Sequence, residues 1–139
     1  MVTKPQDIAK PGATIFVVDD DPGILRIVEI TLERSGYQVK TAPDGQEALK
    51  LLRKLVPDLM ILDVMMPGLS GFDLCHIVKR DERLQHVPVI FFTAQDSPRD
   101  FQAGMESGGV IYLLKPFKPE KLLQSVRLAL SAKPASSES

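Results

Sequence analysis

Short apolar runs punctuate the chain, and between them the hydrophobic positions recur at helical spacing. Ala13–Val18 (ATIFVV), Leu59–Leu62 (LMIL), Val87–Phe92 (VPVIFF) and Val110–Leu114 (VIYLL) are nearly continuous. They are too short for ordinary helices and suit strands covered on both faces. Residues 37–41 differ: Tyr37, Val39 and Thr41 alternate with Gln38 and Lys40. A period of two marks a strand with one wet face, hence a sheet edge.

The segments between predict helices. Pro22 opens one that runs to about Ser35, with Ile24, Val28, Thr31 and Leu32 on one side and Gly36 as its stop. Asp44, with Glu47 three positions on, has the form of a capping box. The helix it starts would turn Ala48, Leu51, Leu52 and Leu55 inward, with Pro57 beyond its end. A third begins at Ser70 or Gly71 and buries Leu74, Cys75 and Val78. A fourth spans about 98–107 before Gly108-Gly109, and a fifth runs from about Pro119 to Ala132 with Leu122, Leu123, Val126, Ala129 and Leu130 inward. Strands alternating with helices over short connections, with right-handed crossovers, give an α/β three-layer sandwich around one five-stranded parallel sheet. The alternating second strand belongs at an edge, which leaves the first and third as central neighbours.

Composition narrows the function. With 139 residues the chain reads as one domain over 13–132, preceded by a polar arm at 1–12 and followed by a Pro/Ser-rich tail or linker at 133–139. A net charge of −1 does not suit a nucleic-acid surface, so no direct nucleic-acid contact is expected. The single cysteine, Cys75, forms no disulfide framework and fits a reducing cytoplasm; it reads as a small core residue. The first twelve residues lack an apolar signal region, and no apolar run is long enough to cross a bilayer. His76 and His86 lack ligand spacing and read as surface residues.

The strand ends carry the chemistry. The first run stops at Asp19-Asp20, the third at Asp63, the fourth at Thr93 and the fifth at Lys115; only the edge strand lacks such a residue. In a parallel sheet these ends share one side, where ligands bind. Carboxylates about 5 Å apart at an effective dielectric near 20 repel by roughly 3 kcal/mol per pair, more than one lysine offsets. A divalent cation does offset it, and an all-oxygen set with few carboxylates suits Mg²⁺. An aspartate can attack phosphorus to form an acyl phosphate, with the cation and Lys115 stabilising the transferring group and the Thr93 hydroxyl able to donate to it. Asp21, followed by Pro22, reads as the N-cap of the first helix rather than as a ligand.

The segments VVDDDP (17–22), LDVMMPGLSG (62–71), FTA (92–94) and YLLKPF (112–117) together resemble a response-regulator receiver domain of two-component signalling, over about residues 13–132. The resemblance implies the CheY-like, flavodoxin-like sheet order 2-1-3-4-5 and a cis bond at Lys115-Pro116. It implies Asp63 as phosphoacceptor and Asp19, Asp20 and Asp63 as Mg²⁺ ligands, with the backbone carbonyl of Met65. Thr93, Tyr112 and Lys115 would bind the phosphoryl group and switch, and Met65 and Gln95 would tune its lifetime. The donor would be a histidine kinase or phosphotransfer protein, and the chain would be a switch that catalyses only its own phosphorylation and dephosphorylation. Two alternatives share parts of this pattern. An aspartyl-nucleophile phosphohydrolase needs a second acid two positions past the nucleophile, where Met65 stands. A flavodoxin-like cofactor protein would meet its phosphate with Asp19, Asp20 and Asp21.

The signalling face would comprise the fourth helix, fifth strand and last helix. In the winged-helix branch of the family it dimerises through charged pairs. The corresponding positions here hold Ala103, Val110 with Ile111, and Ser125, with Phe101 and Met105 nearby, and the first four carry no charge. Output through a protein partner or effector, or a hydrophobic self-contact on phosphorylation, is therefore expected instead. The other reading is that Val110 and Ile111 simply extend the strand into the core.

Overall fold

A computed structural model describes residues 12–94 and 111–131. Its elements in chain order are β1 (Thr14–Val18), α1 (Pro22–Arg34), β2 (Gln38–Ala42), α2 (Gly45–Leu52), β3 (Leu59–Asp63), α3 (Gly71–Lys79), β4 (Val89–Thr93), β5 (Ile111–Leu114) and α4 (Pro119–Ser131). The helix expected over 98–107 and the tail lie outside the described residues, as does the arm except for Gly12.

The strands form one parallel sheet in the order β2-β1-β3-β4-β5. Alternation along each strand divides the core in two. Phe16, Val18, Met60, Leu62, Val89 and Phe91 point to the side where α2 and α3 supply Ala48, Leu52, Leu74, Cys75 and Val78. Ile15, Val17, Leu59, Ile61, Ile90 and Phe92 point to the other, against Val28 and Leu32 of α1 and Leu122, Val126 and Ala129 of α4. β3 is buried at every position, which is why its first four residues, Leu59 to Leu62, are an unbroken apolar run. β2 takes the predicted edge, with Gln38 and Lys40 exposed. β5 is the opposite edge: it pairs with β4 alone among the described strands, and Leu114 is 41% exposed.

Helix starts follow the polar residues at their heads. Asp21 caps α1, its Oδ1 accepting from the N–H of Gly23 (2.8 Å) and Ile24 (3.3 Å) with Pro22 in the first turn. Asp44 caps α2 through the Glu47 N–H at 2.9 Å, but the Glu47 carboxylate turns to Lys50 (3.3 Å), so only half of the expected box forms there. The reciprocal box stands at α3, where Asp73 N–H donates to Ser70 Oγ (3.1 Å) and Ser70 N–H to Asp73 Oδ2 (3.2 Å). The inward face of α2 also differs from the expected one. Gly45, Ala48 and Leu52 are buried and Leu49 packs beside them, as does Leu55 from past the helix end, while Leu51 is exposed. Leu51 sits about 100° around the helix from Leu52, off the buried stripe. Past α1, Gly36 takes a φ of +96°, which a side chain disfavours.

No helix among the described residues is long and apolar enough to cross a membrane.

Candidate functional site

β1, β3 and β5 deliver their terminal residues to one place. Asp19 follows β1 directly and is fully buried. Its N–H donates to Ala42 O (3.2 Å), which ties it to β2, and its Oδ1 accepts from Asp21 N–H at 2.9 Å. Asp63 closes β3 and is 4% exposed. Lys115 follows β5 and is anchored by its N–H to Thr93 O at 2.8 Å. Its ammonium donates to Asp19 Oδ2 (2.9 Å) and to Asp63 Oδ1 (3.3 Å), and the latter oxygen also accepts from Met65 N–H at 3.4 Å. Asp20 completes the group from the exposed side. One carboxylate oxygen from each of Asp19, Asp20 and Asp63 lies within 4.8 Å of the others. The peptide bond Lys115-Pro116 is cis, as the resemblance implies.

Burial makes this clustering costly. The Asp63 carboxyl is pushed up to about 6, first by burial and then by the Asp19 charge, while the Lys115 charge and hydrogen bond pull it back and an Asp20 contact raises it further. For Lys115, burial alone would lower the value; its hydrogen bond to Asp19 and the charges of Asp19 and Asp63 outweigh that and raise it. Among the described residues one cation thus faces three carboxylates, and that set is short of positive charge. The donors are all oxygen, and their spacing approaches the roughly 4–5 Å across the coordination sphere of a hard divalent cation. The residues therefore fit such an ion.

Thr93 ends β4, is buried, and lies one strand over from Asp63, which pairs in register with Phe92. Tyr112 is half-buried on β5, its ring 5.5 Å from Phe91 and 6.4 Å from Phe72; Phe72 meets Phe91 edge-on at 4.8 Å. Met65 is 62% exposed beside the acidic group. Gln95 lies outside the described residues, as do Phe101, Ala103, Met105 and Val110. On the expected signalling face, Ile111 packs against the α1/α4 core and Ser125 is buried. For Ile111 the core reading holds, and Ser125 shows no charged group to a partner. The sequence presents Gly71 as a turn residue, a helix start and the end of the LDVMMPGLSG segment, with no sign of its contact with β3; Phe72, an aromatic in the first turn of α3, carries no periodic signal.

The sequence profile of the response regulator receiver domain matches residues 15–127. The DNA-binding response regulator MtrA of Mycolicibacterium smegmatis is 40% identical over 116 residues, 84% of this chain and 50% of that protein. The DNA-binding dual master transcriptional regulator RpaA of Synechocystis is 43% identical over 116 residues, 84% of this chain and 48% of that one. The chain spans about half the length of these curated relatives. Among solved structures, the chemotaxis protein CheY4 of Vibrio cholerae aligns with a TM-score of 0.83 and 37% identity, covering 86% of this chain and 99% of that one. These matches favour neither the phosphohydrolase nor the flavodoxin-like alternative. The chain belongs to the response regulator receiver domain family, the phosphoryl-accepting modules of two-component signalling.

Proposed function

We propose that Asp63 is the phosphoacceptor of this receiver domain, that Asp19, Asp20 and Asp63 hold Mg²⁺ with the Met65 carbonyl, and that Lys115 holds the incoming phosphoryl group. The observation that carries this reading is the meeting of three carboxylates and one ammonium at the ends of three strands. A histidine kinase or phosphotransfer protein supplies the phosphoryl group as phosphohistidine. Asp63 Oδ attacks phosphorus in line, the P–N bond breaks, and the imidazole leaves with the bond pair and takes up a proton. When bound, Mg²⁺ neutralises carboxylate and phosphoryl oxygens in the same site. Lys115, already between Asp19 and Asp63, then gains a phosphoryl oxygen as partner. The buried Thr93 hydroxyl donates to another phosphoryl oxygen, and the change passes to Tyr112 on β5. Met65 and Gln95 tune the lifetime of the acyl phosphate.

For output, the net charge of −1 supports a protein partner or effector domain over direct contact with nucleic acid. Any DNA binding like that named for MtrA and RpaA would then be made outside this domain. Incubation with a small acyl-phosphate donor, followed by intact-mass spectrometry, tests the site. One phosphoryl group is expected with Mg²⁺ and none in EDTA; equal labelling in both would refute the metal role.

A further inference from the structure

We propose that Gly71 is a positioning residue for Asp63, an inference that rests on Asp63 being the phosphoacceptor. Gly71 opens α3, is buried, and donates its N–H to Val64 O at 3.2 Å. A Cβ placed on it would overlap the carbonyl oxygen of Asp63 and lie 2.9 Å from Asp63 C and 3.2 Å from Val64 Cα. All three atoms are backbone, so no side-chain rotation relieves the overlap. Neither partner yields easily. Asp63 closes a strand paired on both sides, and the next residue is held by the hydrogen bond from Val64 N–H to Phe92 O at 2.9 Å. The start of α3 is pinned by the Ser70–Asp73 box and by Phe72 packed edge-on against Phe91. An ordinary carbon–oxygen contact is about 3.3–3.6 Å, so a methyl group at Gly71 forces the end of β3 and the start of α3 apart by on the order of 1 Å.

That movement falls on the one peptide that must aim its carboxylate at both a cation and a phosphorus atom. Such sites tolerate about 0.5 Å of displacement. Gly71 touches neither ligand; it acts through the placement of Asp63.

The test compares wild type, Gly71→Ala and Val78→Ala. Val78 is a buried residue further along the same helix, so its truncation lowers stability without crowding Asp63. Mg²⁺ affinity is read by titration calorimetry, the phosphorylation rate from a small acyl phosphate at saturating Mg²⁺, and backbone shifts by NMR. All three proteins are measured with trimethylamine N-oxide present to keep them folded. Gly71→Ala is expected to slow phosphorylation by roughly 10- to 100-fold, as a 1 Å misplacement does, and to weaken Mg²⁺ binding. Its amide shifts should concentrate at Val64 and Met65. Val78→Ala should stay within about twofold of wild type in rate and affinity, since it leaves the site geometry alone. A Gly71→Ala protein phosphorylated at the wild-type rate, or an equal loss in Val78→Ala, overturns the proposal. A wild-type chain that accepts no phosphoryl group overturns instead the acceptor reading on which it rests.

Discussion

Replacing Asp63 with asparagine should stabilise the metal-free protein, although it removes the reactive group. The Asp63 carboxyl is pushed up to about 6 by burial and by Asp19. This is roughly two units above an unfolded aspartate, and at about 1.4 kcal/mol per unit it costs the fold about 3 kcal/mol at neutral pH. Asparagine keeps the shape and loses the charge. It gives up the 3.3 Å ion pair with Lys115, keeping only an amide oxygen to accept there, but Lys115 retains Asp19 at 2.9 Å. The net gain is then about 1–3 kcal/mol, or several degrees in Tm for a domain of this size. The sign of the pH dependence follows from the direction of the shift. A carboxyl whose folded value is raised carries no penalty below its unfolded value; the penalty grows as pH rises from the unfolded value to the folded one and is constant above it. Urea unfolding of both proteins in EDTA across pH is the assay. The advantage of Asp63→Asn should be near zero around pH ~4 and reach a plateau above about pH 7. Saturating Mg²⁺ should shrink or reverse it, because the wild type binds the ion more tightly. An Asp63→Asn protein no more stable than wild type in EDTA, or an advantage independent of pH, would refute the reasoning.

Asp20→Ala should weaken Mg²⁺ binding by about tenfold or more, whereas Lys115→Ala should bind Mg²⁺ as well or better yet accept phosphoryl groups roughly 100-fold more slowly; metal titrations with rate measurements decide, and loss of Mg²⁺ binding in Lys115→Ala would invert the roles. Phe72→Leu should cost about 1 kcal/mol of stability through its lost ring contacts and alter the emission of Tyr112 on beryllofluoride activation while leaving the phosphorylation rate unchanged. Because the chain has no tryptophan, that emission can be followed by itself in a Tyr37→Phe background. Any dimer formed on activation should persist or tighten as salt rises; one that dissolves with salt would mean charged pairs hold it after all.

Most of this architecture was legible because burial leaves a plain mark on sequence. The all-apolar run of β3 is buried on both faces, and the alternation of β2 marked it as an edge. The site was legible for the same reason: Asp19, Asp63, Thr93 and Lys115 each interrupt or follow an apolar run, and parallel topology brings such ends together. The edge position of β5 was implied by the family resemblance and not by its own pattern, because Ile111 packs on one core and Tyr112 on the other, so both faces carry apolar residues there. The two capping motifs show another limit. Asp44/Glu47 and Ser70/Asp73 offer the same chemistry, but Glu47 has Lys50 within reach and turns away. What Gly71 does was invisible for a different reason: its contact is with a backbone carbonyl, which every residue type presents alike.

The central claim is that Asp63 accepts the phosphoryl group. Borohydride reduces an acyl phosphate on aspartate to the alcohol, releasing phosphate and leaving homoserine at the modified position. The chain is phosphorylated with a small acyl phosphate and Mg²⁺, reduced, digested, and sequenced by tandem mass spectrometry. Homoserine at position 63, with Asp19 and Asp20 unmodified, is the predicted result. Homoserine at position 19 or 20, or at position 63 to the same extent without Mg²⁺, would contradict the account.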